Sequence, residues 1–329
     1  MQHPHRWSKL AIAACLMAFG LIGAYKLPAH TVTVHQSHSG TKAAAPSAAK
    51  PKPTYVGTNT CKMCHADVFN DQFKNTPHYK TLFLKQQSEQ GCEGCHGPGS
   101  IHVQSGGQTP VPYNFSTMTE QATAQRCMEC HQARHENMEF LTSVHFKNGV
   151  GCTDCHDPHH STDMVTLLKQ PQPQLCYECH KTIETLFKML FHHRVDEGMV
   201  KCTDCHNPHG SFVDAALEPG GENKQLRTAA AGNAICLQCH VDKAGPFVFE
   251  HEPVVTDGCL DCHNPHGSPN PHMLKVANVN QLCLQCHTTS SFSGAPGTPS
   301  FHNQATQFQA CTLCHTQIHG SNFSPYFFK

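Results

Sequence analysis

The sequence predicts a fold of loops and short α-helices with little or no β structure, built around covalently held cofactors, and three observations predict it. The pattern Cys-x-x-Cys-His occurs ten times and takes twenty of the 21 cysteines. Only 14% of the 329 residues are charged, while 23 Gly and 22 Pro punctuate the chain. No segment convincingly sustains the apolar and polar alternation of a half-buried strand.

The ten motifs are Cys61, Cys64 and His65; Cys92, Cys95 and His96; Cys127, Cys130 and His131; Cys152, Cys155 and His156; Cys176, Cys179 and His180; Cys202, Cys205 and His206; Cys236, Cys239 and His240; Cys259, Cys262 and His263; Cys283, Cys286 and His287; and Cys311, Cys314 and His315. Histidine follows the second cysteine every time, which neither a zinc ribbon nor a disulfide framework requires. A c-type haem does require it: two thioether bonds form to the cysteines, and the adjacent imidazole reaches the iron as proximal ligand. Ten c-type haems are therefore expected, and the fold class is a multihaem c-type cytochrome with its haems in an elongated chain. With about 33 residues per motif, protein alone makes a poor core. The macrocycles supply it, and a haem-free chain is expected to be unfolded.

The remaining histidines are placed periodically. After the even-numbered motifs come His102, His159, His209, His266 and His319; a second set, His78, His145, His193, His251 and His302, lies 7 to 14 residues before a motif. These ten are candidate distal ligands, their haems unassigned, and their spacing suggests units of two haems. In CTDCHNPHG (202 to 210), nearly repeated at 152 and 259, His209 stands three residues beyond His206. An extended three-residue step reaches at most ~10 to 11 Å, too little to pass the edge of one porphyrin and bind its far face. His209 is thus expected on a different iron from His206, with Pro208 stiffening the link. Such a segment is a staple between two haems. His135, His160, His192 and His272 have no place in this pattern and are expected at the surface or beside propionates, His160 and His192 being possible substitutes for their neighbours.

Other segments read differently. Arg6 and Lys9 precede an apolar run from Leu10 to Tyr25, shorter than the roughly 20 residues that span a bilayer. Residues 1–29 read as an export signal or N-terminal anchor, and Cys15 falls inside its apolar run. Residues 30–57 are polar and Ala/Pro-rich, a flexible linker, and 58–329 form the haem-bearing domain. The gap from Cys92 to Cys127 recurs from Cys202 to Cys236, a hint of duplication, and two five-haem halves are one division of the domain. The segment KTIETLFKMLFHH (181 to 193) predicts a helix with Leu186, Met189 and Leu190 turned inward. Formal charge is -1 before haem propionates are counted. No basic run exists to serve a nucleic acid.

The stretch from 244 to 287 and the terminal CTLCHTQIHGSN resemble the MtrA/DmsE family of periplasmic decahaem cytochromes, over roughly residues 58 to 322. The resemblance implies a haem wire inside an outer-membrane β-barrel, passing electrons to or from an extracellular multihaem cytochrome or reductase, with a periplasmic or inner-membrane electron-transfer cytochrome on the other side. This chain departs from the family in its longer Ala/Pro-rich N-terminal segment, which leaves its attachment open. The residues themselves argue for a conductor, because bis-histidine iron offers no open coordination position for catalysis. Two other functions use the same motifs: a soluble periplasmic electron shuttle, and a multihaem reductase with one distal histidine missing.

Overall fold

The structure is a computed structural model, and it describes residues 51–132, 139–161, 163–210, 225–227, 233–287 and 310–329. Residues 1–50, which hold the expected export signal or anchor and most of the expected linker, lie outside them, as do His135 and His302. A compact unit runs from Pro51 to Lys329.

Its repeating element is one helical turn. In eight motifs the amide of the proximal histidine donates to the carbonyl of the first cysteine at 2.9 to 3.0 Å. In the other two, His96 and His131 end helices Gly91–His96 and Glu120–His131. An i to i−4 bond brings residues three and four apart onto one face, so both cysteines and the histidine present themselves together. Asp154 and Asp204 close the start of two such turns, accepting from the amides of Gly151 (2.6 Å) and Lys201 (2.8 Å). This is the capping role of a short acidic side chain, and it accounts for the Asp in CTDCH.

The chain then turns back on itself. The residue after the proximal histidine, or the second after it in the tenth motif, donates to a carbonyl further on: Asp157 to Leu167, Asn207 to Gln225, Asn264 to Met273 and Gln317 to Phe327, at 2.6 to 2.9 Å. All four acceptors sit in the left-handed region, with φ of 51 to 60°, a conformation uncommon for residues other than glycine. The returning segment forms isolated bridges His156 to Leu168, His206 to Leu226 and His263 to Leu274. Among the described residues these and two further isolated bridges are the only β pairing, so the fold is loops and short helices as the composition predicts.

Protein-only core is scarce. Seven apolar side chains of the described residues are buried, and one cluster forms, Tyr177, Phe187 and Val195 with Ile183 and Val200 against it. Tyr177 closes it by donating its hydroxyl to Asp196 at 2.7 Å. The helix predicted over 181 to 193 is shorter, Lys181–Phe187, and packs through Ile183 and Phe187. Leu190, expected to point inward, is 78% exposed, because the helix has ended before it. At the other end Glu93, buried, accepts from the amides of Val56, Gly57 and Gly99 at 2.7 to 3.1 Å and ties the last linker residues to the second motif.

No helix of the described residues is long and apolar enough to cross a membrane.

Candidate functional site

The staple can be explained letter by letter. In CTDCHNPHG the Asn207 side chain accepts from the amide of His209 at 3.1 Å, and Asn264 does the same for His266 at 3.3 Å. Asp157 accepts from both His159 (2.9 Å) and His160 (2.8 Å). This local side-chain turn throws the second histidine away from the first. The closing glycine then passes where no side chain fits: a Cβ on Gly267 (φ +147°) would lie 2.1 Å from the carbonyl oxygen of Leu186.

Each histidine that follows an even-numbered motif, the three on this turn among them, meets another motif's imidazole. Ring centroids lie 6.3 Å apart for His65 and His102, 6.0 Å for His96 and His159, 6.0 Å for His156 and His209, 6.0 Å for His206 and His266, and 6.3 Å for His263 and His319. The upstream set supplies four more pairs, at 6.0 Å for His78 and His131, 6.1 Å for His145 and His180, 6.2 Å for His193 and His240, and 6.2 Å for His251 and His287. Each pair joins one histidine of a Cys-x-x-Cys-His motif to one candidate distal histidine. His302, the candidate left for His315, lies outside the described residues.

This spacing fits a haem iron between the rings. A metal to imidazole nitrogen bond of about 2.0 Å on each side, with ~1.1 Å from nitrogen to ring centre, separates two axial rings by roughly 6.2 Å. Ring planes divide the pairs into two sorts. The staple pairs are nearly parallel, at 18 to 25°. Three upstream pairs are crossed, at 90°, 71° and 59°, while His251 and His287 lie at 11°.

Backbone carbonyls fix the other nitrogen of many rings. Nδ1 of His156, His263 and His315 meets the carbonyls of Thr166, His272 and Tyr326 at 2.7, 2.8 and 2.5 Å. Two upstream distal rings use the carbonyl just before a staple histidine, His145 on Pro208 at 3.0 Å and His193 on Pro265 at 2.6 Å, and the Ile318 backbone raises His251. Such contacts set the tautomer and leave Nε2 free to bind metal. None of these acceptors was visible in the sequence, since they are main-chain atoms at variable distance from the motif. Burial holds the imidazoles of His78, His96, His159, His180, His251 and His319 below the usual histidine range, and pushes His266 down to about 4 with His206 as the next cause. A neutral ring is the ligating form.

The spare histidines behave otherwise. His192 is raised by the Met189 carbonyl and Glu197, which its Nε2 meets at 3.2 Å. His160 is exposed and 3.4 Å from Asp157, with which it and His159 cluster. His272 contributes the carbonyl noted above.

Cysteine positions give the order of the motifs. The first cysteines touch in pairs: Cys61 with Cys92, Cys127 with Cys152, Cys176 with Cys202, Cys236 with Cys259, and Cys283 with Cys311. Hydrogen bonds from their partners bring the thiols of Cys92, Cys202 and Cys259 down to about 7. Second cysteines influence one another electrostatically across the alternate gaps. The thiols of Cys95, Cys155, Cys205 and Cys262 are pushed up by burial first, with smaller contributions from Cys130, Cys179, Cys239 and Cys286 respectively. In a haem-bearing protein these sulfurs are thioethers, and the proximity is what persists.

Known proteins are similar in sequence. Residues 145–185, 192–245 and 251–292 match the family described as doubled CXXCH motif, and residues 22–97 and 105–157 match cytochrome c554 and c-prime. The chain is 32% identical over 275 residues to the multiheme cytochrome MtrA of Shewanella baltica, covering 81% of this chain and 79% of that one. It is also 26% identical over 140 residues to the C-type polyheme cytochrome OmcC of Geobacter sulfurreducens, covering 40% of this chain and 15% of that protein.

Proposed function

The chain belongs to the MtrA-type multihaem c-type cytochromes, electron-transfer proteins with covalently bound haem, and from that premise we propose that it carries ten haems in sequence order as a conduit across the outer membrane. The observation that carries this is the set of nine imidazole pairs, each joining a proximal to a distal candidate. Haem supplies the redox chemistry when bound. The chain holds each macrocycle through two cysteines and one histidine, caps the far face with a second histidine, and so denies the iron an open position. His302 completes the tenth pair, with His315.

The alternating cysteine contacts support a path in which each haem meets the next, first through first-cysteine edges and then through second-cysteine edges. Motifs joined by their first cysteines are the two-haem units. Residues 1–29 serve as export signal or anchor, 30–57 as linker, and 58–329 as the periplasmic conductor. An outer-membrane β-barrel sheathes that conductor, with an extracellular multihaem cytochrome or reductase at one end and a periplasmic or inner-membrane cytochrome at the other.

Two measurements test this. Electron paramagnetic resonance of the oxidised protein, with haem quantified on the same sample, should show ten haems, all low-spin. A ligand-responsive high-spin iron near one equivalent would instead indicate a reductase. Native isolation should recover the protein with a membrane β-barrel; recovery wholly in the soluble periplasmic fraction would make it a shuttle.

A further inference from the structure

The upstream distal histidines follow a rule, and one of them breaks it. His145 and His193 each place Nδ1 on the carbonyl that precedes a staple histidine, and the Ile318 backbone beside His251 acts on that ring in the same sense. His78 stands in the same relation to the staple of the fourth motif, where Pro158 precedes His159. Its Nδ1 is buried and has no hydrogen-bond partner.

The surroundings of the corresponding histidine, His145, differ at several positions. The segment Phe73 to His78 repeats Phe140 to His145 in spacing and in local turn: the amide of Thr76 donates to Phe73 and that of Ser143 to Phe140, both at 3.0 Å. Beyond the turn the two diverge. Val144 donates its amide to the Gln225 side chain at 3.1 Å, and the Gln225 amide nitrogen lies 3.4 Å from His145 Nδ1. Pro77 occupies the place of Val144 and has no amide hydrogen to give. Leu167 occupies the place of Gln225, with the same left-handed backbone (φ 55° and 51°), and offers no polar group. His160 takes the place of the staple glycine that lets the two segments approach closely elsewhere.

We propose that the haem attached at Cys127 and Cys130, ligated by His131 and His78, has a more positive reduction potential than the haems of His145, His193 and His251, and fills with an electron before them. This rests on the ligand pairing given under Proposed function. A hydrogen bond from Nδ1 to a carbonyl makes the imidazole more basic, which favours ferric iron; second-shell hydrogen bonding is one of the levers by which protein sets haem potential. His78 lacks that bond, so its iron is the easier to reduce. Placed third in the row, such a haem retains charge near one end of the conductor.

The ring geometry supplies a spectroscopic handle. His78 and His131 cross at 90°, more than any other pair of the described residues. Crossed imidazoles give the strongly anisotropic low-spin ferric signal, and near-parallel ones the rhombic signal. The experiment is an electron paramagnetic resonance redox titration of the full haem-loaded chain, of His78→Met and of Leu167→Gln. The most anisotropic signal should be reduced before the other crossed-ring signals and be absent from His78→Met. In Leu167→Gln, where the new amide oxygen can accept from His78, it should move to lower potential while the rest stay in place. A signal removed by His78→Met that titrates among or below the other crossed-ring signals overturns the proposal, as does an unmoved signal in Leu167→Gln. If His78→Met leaves every low-spin signal intact, His78 is no ligand, and the pairing beneath the proposal fails instead.

Discussion

The staples of the fourth and eighth motifs are nearly the same string, CTDCHDPHH against CLDCHNPHG, yet they dock on the chain differently. Both use an Asx turn to send a histidine to another motif's ring, and both ring pairs lie 6.0 Å apart. The eighth then packs its glycine under Leu186, exchanges backbone bonds between Phe191 and Ser268 (3.1 and 2.8 Å), and gives the Pro265 carbonyl to His193. Its His266 ring also packs on Phe187 at 5.5 Å, as His209 packs on Phe140 at 6.0 Å. The fourth ends in exposed His160, and Phe73, spaced from His78 as Phe140 is from His145, packs on Phe69 and Tyr79 instead. Offering a ligand and clamping a neighbouring ligand are therefore separable tasks of one nine-residue segment.

Removing haem should abolish the distinction altogether. With so few buried apolar residues, the haem-free chain should show no cooperative unfolding by circular dichroism; a cooperative transition would mean that protein contacts alone hold both staples. In the haem-loaded protein Gly267→Ala should destabilise by ~3 kcal/mol, because a Cβ at positive φ meets a backbone carbonyl that cannot step aside. His160→Ala at the matching position should stay within about 0.5 kcal/mol. Thermal unfolding followed at the Soret band checks both, and equal effects would erase the comparison. Gln225→Leu imitates the fourth motif in the sixth and leaves the Val144 amide unpaired, at a cost of about 1 to 3 kcal/mol. Asp204→Ala removes a cap common to both kinds of staple, and should cost ~1 kcal/mol, as should Asp154→Ala.

Acid should weaken the clamped staple. Burial pushes His266 down to about 4 from an ordinary 6.5, so between those values the unfolded chain binds the extra proton. The contribution of this ring is complete above about pH 6.5 and lost as pH falls toward 4. A stability profile that rose on acidification through that window would contradict the assignment of His266 as a neutral ring.

The ligand inventory was open to sequence reasoning because covalent haem chemistry demands fixed residues at fixed spacing. Reach alone separated His206 from His209, and the structure sets them against His266 and His156. Which ring faces which was not legible: His78 and His131 are far apart in sequence, and nothing local marks them as neighbours. Nor were the carbonyls of Pro208, Pro265 and His272, since main-chain acceptors leave no side-chain signature. Glu93 looked like one more charged residue until three amides converged on it.

By itself, then, the sequence determined the cofactor class, the scarcity of strands and the supply of motif cysteines and histidines, all of which follow from bond chemistry and composition. Tertiary structure decided the pairing of rings, their crossing angles, the alternation of cysteine proximities and the buried Nδ1 of His78 without a partner. Those depend on how returning segments pack across tens of residues. There the positive φ of Leu167 and Gln225 is the same, and only the side chain each brings to the neighbouring ligand differs.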